Sequence, residues 1–414
     1  MERQTGVIIV AGGGGSRMGG ARPKQFMLLG GMPILARTIN NFAAALPGAE
    51  IVVVLPAEHT GFWHNLSARF EVAPHTVAEG GRERFHSVKN GLAALKRDPE
   101  LIAAIRRAWK EDFGQDVSED EVLVTTSSCI GMSQTLMGIL NPGDEVIVFS
   151  PYFPMYREQI ELAGGVCVDV LTYASEDYAI DEARLRAAIT PRTKAIVFNN
   201  PTNPTGMGYD SRTLELLARV AQEHDLLIAA DEIYTTYLYE GDFRPIRTLP
   251  GMAERTITLN SFSKNFLMTG WRVGVIIAEP ELLAVMNRVN GSLIYSAPSI
   301  SQRAALQALA MRKEIREKYV TAYRDRIFYA ADRIEKIPYL SLVRPKGTFY
   351  LFPGVEKTGL DEKAFCKVLL DQAHVLVSPG TPFGVSAAGH FRIACTVGID
   401  QLKTAFDRME KLSF

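Results

Sequence analysis

Short, continuous apolar runs alternate with loops and amphipathic helical patterns along most of this chain, and no other feature restricts its fold as strongly. Strands are predicted at residues 7–10, 51–55, 122–125, 145–149, 194–198, 226–230, 256–259 and 273–278, and helices at 34–46, 101–113, 211–224 and 301–311. Apolar strands joined through helices imply an α/β fold: a mostly parallel sheet with helices on both faces. After Tyr319 the rhythm changes. A long charged helix leads to short strands at 340–343 and 348–352, a helix at 361–373, a strand at 375–377 and a closing helix, which reads as a smaller α+β domain.

At 414 residues the chain exceeds one average domain, so two or three packed units are expected. The net charge of −1, with no basic block, argues against nucleic-acid or membrane-surface binding. Cys129, Cys167, Cys366 and Cys395 lie far apart without CxxC spacing, and no HExxH pattern occurs. That argues against a disulfide framework or a metal site and implies a reducing compartment, the cytoplasm. The apolar run near the N-terminus is too short for a signal-peptide core, and no segment approaches membrane-spanning length.

Ala11-Gly12-Gly13-Gly14-Gly15-Ser16-Arg17-Met18 follows the first strand directly. Such a join lets backbone N–H groups approach a phosphate, although a plain tight turn is the better reading of a glycine run taken alone. It is neither a P-loop nor a GxGxxG fingerprint. Arg17, then Pro23-Lys24-Gln25-Phe26, then Gly80-Gly81-Arg82-Glu83-Arg84-Phe85-His86-Ser87-Val88 follow in order. Over residues 5–95 this combination resembles the start of the methylerythritol-phosphate cytidylyltransferases. The resemblance implies a partial Rossmann-like α/β fragment, with Gly13, Gly15, Arg17, Lys24 and Ser87 as nucleotide-binding residues. Arg17 and Lys24 would stabilise the triphosphate of CTP, and Ser87 the cytosine. The metal-binding aspartate and the later substrate residues of that family are absent, so the fragment reads as incomplete.

Farther on stand Asn199-Asn200-Pro201-Thr202-Asn203-Pro204-Thr205-Gly206, Asp231-Glu232-Ile233-Tyr234, Asn260-Ser261-Phe262-Ser263-Lys264-Asn265 and Gly270-Trp271-Arg272-Val273-Gly274, each beside a predicted strand. From about residue 98 to the C-terminus the chain resembles class I/II aminotransferases, the fold-type-I pyridoxal-phosphate enzymes. The resemblance implies pyridoxal 5'-phosphate as cofactor, an amino acid and a 2-oxo acid as substrates, and a homodimer. Lys264 matches the lysine that forms the cofactor aldimine and shuttles the Cα proton; a solvated surface lysine is the bland alternative. Asp231 matches the carboxylate paired with the pyridine nitrogen, or else it caps the next helix.

Asn203 and Tyr234 match the partners of the cofactor's phenolic oxygen, Asn203 also touching substrate; a turn and a packing aromatic are the alternatives. Arg272, Ser261 and Ser263 match the phosphate site. Ser128 and Cys129 join it through backbone amides at a helix start, in a Thr126-Ser127-Ser128-Cys129 stretch that departs from the family's Asn-Gly-Ser/Ala. Phe153 matches the aromatic stacked on the cofactor ring, or is a core residue. Arg392 matches the arginine that grips the α-carboxylate, or makes a surface ion pair. A β-lyase or decarboxylase would share this scaffold.

The expected units are 1–96 (cytidylyltransferase-like), 97–297 (the large cofactor-binding domain) and 298–414 (the small domain). Family members normally begin with an arm, part of the small domain and the opening of the large domain. These carry a substrate-contacting glycine and a tyrosine lent to the partner's phosphate site. Here the cytidylyltransferase-like fragment occupies their place, as if two truncated genes met near residues 93–98. The resulting expectation is a pyridoxal-phosphate aminotransferase; cytidylyl transfer, or a catalytically impaired fusion of the two, is the alternative.

Overall fold

The computed structural model describes residues 6–12, 23–81, 86–88 and 100–414. It divides into two compact units, Met1–Pro99 and Glu100–Phe414.

In the first unit, strands β1 (Gly6–Val10), β4 (Glu50–Leu55) and β5 (Thr76–Glu79) form a parallel sheet in the order β1-β4-β5. A two-stranded ribbon, β2 (Leu28–Leu29) with β3 (Met32–Pro33), precedes the helix Ile34–Ala45. That helix buries Leu35, Ala36 and Ile39, which its period places on one face, against Ile51, Val53 and Leu55. Trp63, from the helix Ala57–Ser67, closes this core.

The second unit is built on a seven-stranded sheet of β6 (Val122–Thr125), β7 (Glu145–Ser150), β8 (Val166–Leu171), β9 (Thr193–Asn199), β10 (Leu227–Asp231), β11 (Thr256–Ser261) and β12 (Gly274–Ile277). Their order is β6-β12-β11-β10-β9-β7-β8, and β12 alone runs antiparallel to its neighbours. Strand alternation divides the core. Ile147 and Phe149 join the helix Ser211–Glu223 on one face, while Val146 and Val148 join the helices Ser128–Ile139, Met155–Leu162 and Pro280–Leu293 on the other. The helices Glu100–Phe113 and Ser299–Ala310 form a further core with Val273, Val275 and Ile277.

A smaller sheet follows, with β13 (Tyr350–Leu351), β14 (Ser378–Pro379) and β15 (Phe391–Ala394) in the antiparallel order β13-β15-β14. Here the structure corrects the sequence reading. Residues 375–377 are not a strand: His374 adopts φ 54°, ending the preceding helical segment, and pairing starts only at Ser378. Residues 340–343 contribute a single bridge, Ser341 to Gly354. Strands β2, β3, β5 and β8 are among those not predicted.

Candidate active site

Parallel strands present their carboxyl ends along one edge of the sheet, where ligands of α/β folds sit. Strand β9 ends on Asn199, β10 on Asp231 and β11 on Ser261, in register (Asn199↔Asp231↔Leu259). Ser261 caps the short helix Phe262–Asn265, its Oγ accepting from the Ser263 N–H at 3.1 Å, so Lys264 stands just beyond the sheet edge. On the other side, Ser127 caps the helix Ser128–Ile139 by accepting from the Ile130 N–H at 3.1 Å. The first-turn amides of Ser128 and Cys129 have no acceptor within their own helix. Gly274 permits this approach of β12 to the helix start: a Cβ there would stand 2.4 Å from the Ser127 carbonyl carbon.

A cavity of about 250 Å³ opens at this edge. Ser128, Cys129, Phe153, Asn203, Asp231, Tyr234, Ser261, Ser263, Lys264, Arg272 and Arg392 all line it, so every residue matched to the cofactor or substrate site meets in one place. Of the residues matched to nucleotide binding, Gly13, Gly15 and Arg17 lie outside the described residues. In the first unit, Lys24 is exposed on a single turn, Lys24–Phe26, and buried Ser87 accepts from the Gly81 N–H at 3.2 Å.

The charges in the cavity are arranged by burial. Asp231 is buried, and its pKa is raised to about 6 by loss of solvent, against hydrogen bonds from Tyr156 and the Ile233 N–H. The Tyr156 hydroxyl donates to Oδ2, and Oδ1 has no partner. Lys264 is half-buried, its Nζ 5.6 Å from the Phe349 ring centroid. Burial, then the nearby Arg392, hold its ammonium below the ordinary range, while Asp231 works the other way.

Arg392 projects from β15 and donates to Asn203 Oδ1 at 2.9 Å. Its guanidinium lies between the rings of Tyr350 (4.6 Å) and Phe383 (4.8 Å), and its buried Nε has no partner. Asn203 is fixed in turn by its own N–H donating to Asn199 Oδ1 at 2.8 Å. The hydroxyls of Tyr234 and Tyr350 stand 3.2 Å apart. Arg272 takes a left-handed backbone (φ 55°), costly for a non-glycine residue, and donates to the Thr269 carbonyl at 2.8 Å.

These features fit a phosphorylated pyridine aldehyde. A buried carboxylate keeps one oxygen free, a lysine has a depressed pKa, and an arginine stands beside a helix start across the same cavity. The sequence profile of the family described as aminotransferase class I and II matches residues 70–409. The chain belongs to that family. Its members use pyridoxal 5'-phosphate. The profile described as 2-C-methyl-D-erythritol 4-phosphate cytidylyltransferase matches residues 5–108, overlapping the other at the junction.

Among relatives, the aspartate/prephenate aminotransferase of Thermus thermophilus is 38% identical over 343 residues, 82% of this chain and 87% of that protein. Aromatic-amino-acid aminotransferase 2 of Thermococcus litoralis is 36% identical over 320 residues, 76% of this chain and 81% of that protein. The crystal structure of the aromatic aminotransferase of Pyrococcus horikoshii superposes with a TM-score of 0.73 at 34% identity, covering 75% of this chain and 84% of that one.

Tyr156, Asn199 and Tyr350 were missed by the sequence reading, yet all three line the cavity. Tyr156 lies one helical turn beyond Phe153, and that spacing was the only hint of it in the sequence. Among the described residues no helix is long and apolar enough to cross a membrane.

Proposed function

We propose that the cavity at the sheet edge moves an amino group from an amino acid to a 2-oxo acid, with Lys264, Asp231 and Tyr234 as catalytic residues. The meeting of Lys264, Asp231 and Arg392 in one cavity, from three separate stretches of chain, carries this reading. When bound, pyridoxal 5'-phosphate supplies the aldehyde that takes the amino group and the ring that accepts electrons from Cα.

The chain's own residues do the rest. Lys264 Nζ holds the cofactor and later takes the Cα proton; burial and the nearby Arg392 lower its pKa, which favours the unprotonated amine. Asp231 Oδ1 offers a carboxylate to the ring nitrogen, and Tyr156 keeps Oδ2 in place. Tyr234 and Asn203 supply hydrogen-bonding groups for the cofactor's phenolic oxygen, and Phe153 a face for its ring. Arg272, the hydroxyls of Ser261 and Ser263, and the Ser128 and Cys129 amides receive the phosphate. Arg392, steadied by Asn203, binds the α-carboxylate through its planar fork.

On this reading residues 97–297 hold the cofactor and 298–414 bring Arg392 to the substrate. The reading extends to a homodimer in the cytoplasm; the four free cysteines suit a reducing compartment. Light scattering should give twice the chain mass.

The test is a half-reaction. The protein mixed with pyridoxal 5'-phosphate should turn yellow, and Lys264→Ala should remove that band. Aspartate, aromatic amino acids and arginine are then added singly, and at least one should bleach the band. A band that no amino acid alters would refute amino-group transfer. Pyrophosphate release from CTP and methylerythritol phosphate would instead favour the reading that rests on the profile match at residues 5–108.

A further inference from the structure

The helix Phe262–Asn265 is a partition. One side faces the cavity of Lys264; on the other lies a separate cavity of about 120 Å³, and Ser261 lines both. The walls of this second cavity are aromatic. Trp109 meets Phe113 edge-on at 4.7 Å, and Phe262 stacks on Phe266 at 4.8 Å. Its polar wall is already satisfied. Asn265 Oδ1 accepts from the Thr236 hydroxyl at 3.0 Å, and its Nδ2 donates to Thr235 Oγ1 at 2.8 Å and Asn260 Oδ1 at 3.2 Å. That wall therefore offers little to a polar ligand body.

The rim is cationic. Arg312 is taken by Glu111 and Asp112. Lys313 and Arg316 also line the cavity, both exposed, and among the described residues neither has a carboxylate within ion-pairing range. An aromatic slot of this size suits a single ring, since a cavity of about 150 Å³ holds benzene. Two unpaired cations at its mouth ask for one anionic end.

We propose that this cavity is a second ligand site, for a small aryl carboxylate. Its ring lies among Trp109, Phe113, Phe262 and Phe266, and its carboxylate meets Lys313 and Arg316. A ligand there rests on the back of the helix that carries Lys264.

The probe is 3-phenylpropionate, titrated calorimetrically into the full chain loaded with pyridoxal 5'-phosphate. Because this acid also suits Arg392, the titration is repeated on Arg392→Ala, which removes carboxylate binding at the sheet-edge cavity and separates the proposal from the aminotransferase reading. Binding should persist there at one molecule per chain. Adding Lys313→Ala and Arg316→Ala, both at exposed positions, should weaken it about fivefold or more. Ala108→Phe, which fills the slot, should abolish it while the yellow band remains. Loss of all binding in Arg392→Ala, or affinity unmoved by the cation and slot variants, overturns the proposal.

Discussion

The Tyr156 hydroxyl donates to Oδ2 of Asp231 across 75 residues of chain, while Oδ1 of the same buried carboxylate has no partner. One oxygen is anchored and the other is free. Without that hydrogen bond, burial would raise the Asp231 pKa further, opposed only by the Ile233 N–H and Lys264. Tyr156→Phe should therefore leave less carboxylate near neutral pH. A hydrogen bond to a charged group contributes about 1.5–3 kcal/mol, so cofactor affinity should fall about tenfold or more. The pH midpoint of the cofactor's absorbance should also move, which loss of packing alone would not do. An unmoved midpoint would reduce Tyr156 to a core residue.

On the proposed reading Arg392 binds substrate, and it also acts on Lys264. After burial, it is the largest influence keeping the Lys264 ammonium below its ordinary value. Removing that positive neighbour in Arg392→Leu raises the Lys264 pKa, so the amine becomes unprotonated only at higher pH. The rate at which cofactor-free protein couples to pyridoxal 5'-phosphate, followed against pH, should shift its midpoint upward. Separately, the donor amino acid's KM should rise about thirtyfold or more, because a buried charge pair at the α-carboxylate is lost. A raised KM with an unmoved coupling profile would leave Arg392 a substrate ligand alone.

Glu232 is a buried acid that the reaction does not use. Its Oε1 accepts from the Ile246 N–H at 3.0 Å, Oε2 has no partner, and burial pushes its pKa up to about 8. Between the ordinary value of 4.5 and about 8 the folded chain keeps a proton that the unfolded chain releases. Stability from this group is thus complete below pH 4.5 and is lost as pH rises through about 8. Glu232→Gln removes that slope, which is at most about 1.4 kcal/mol per pH unit. Asp231 slopes the same way, but only up to about pH 6, and does so in both proteins. Urea melts at pH 6.5 and pH 8 should show a smaller loss in the variant; equal losses would mean that Glu232 is ionised in the fold.

What the sequence disclosed follows from what was local in it. Residues 226–230 are a continuous apolar run and 256–259 a short stretch rich in β-branched residues, with Asp231 and Lys264 following them, so both strand ends were readable. Strand β8 escaped because it lies at the sheet edge, where Asp169, paired to Arg157, interrupts its apolar run. Tyr156 escaped because the spacing of an aromatic on a short helix reads as core, and its partner is remote in sequence. The small sheet was placed approximately. Its strands are two to four residues long, so register depends on tertiary pairing such as Ser378 with Arg392.

Arg247 carries the last prediction, one that concerns folding alone. Its side chain is only 1% exposed, ion-paired with Glu121 and standing 3.5 Å from Glu279. It also donates to the carbonyls of Ala253 at 2.7 Å and Thr256 at 3.3 Å. One buried cation thus ties the turn before β6 to the entry of β11. Arg247→Met preserves much of the volume but strands the Glu121 carboxylate and both carbonyls, which should cost about 3–5 kcal/mol in a urea melt. Arg247→Met with Glu121→Gln removes the stranded charge and should recover part of that loss. Because Arg247 does not line the cofactor cavity, the yellow band of whatever fraction stays folded should be unchanged in both variants. A single variant as stable as the parent would show that desolvating the arginine offsets everything its partners contribute.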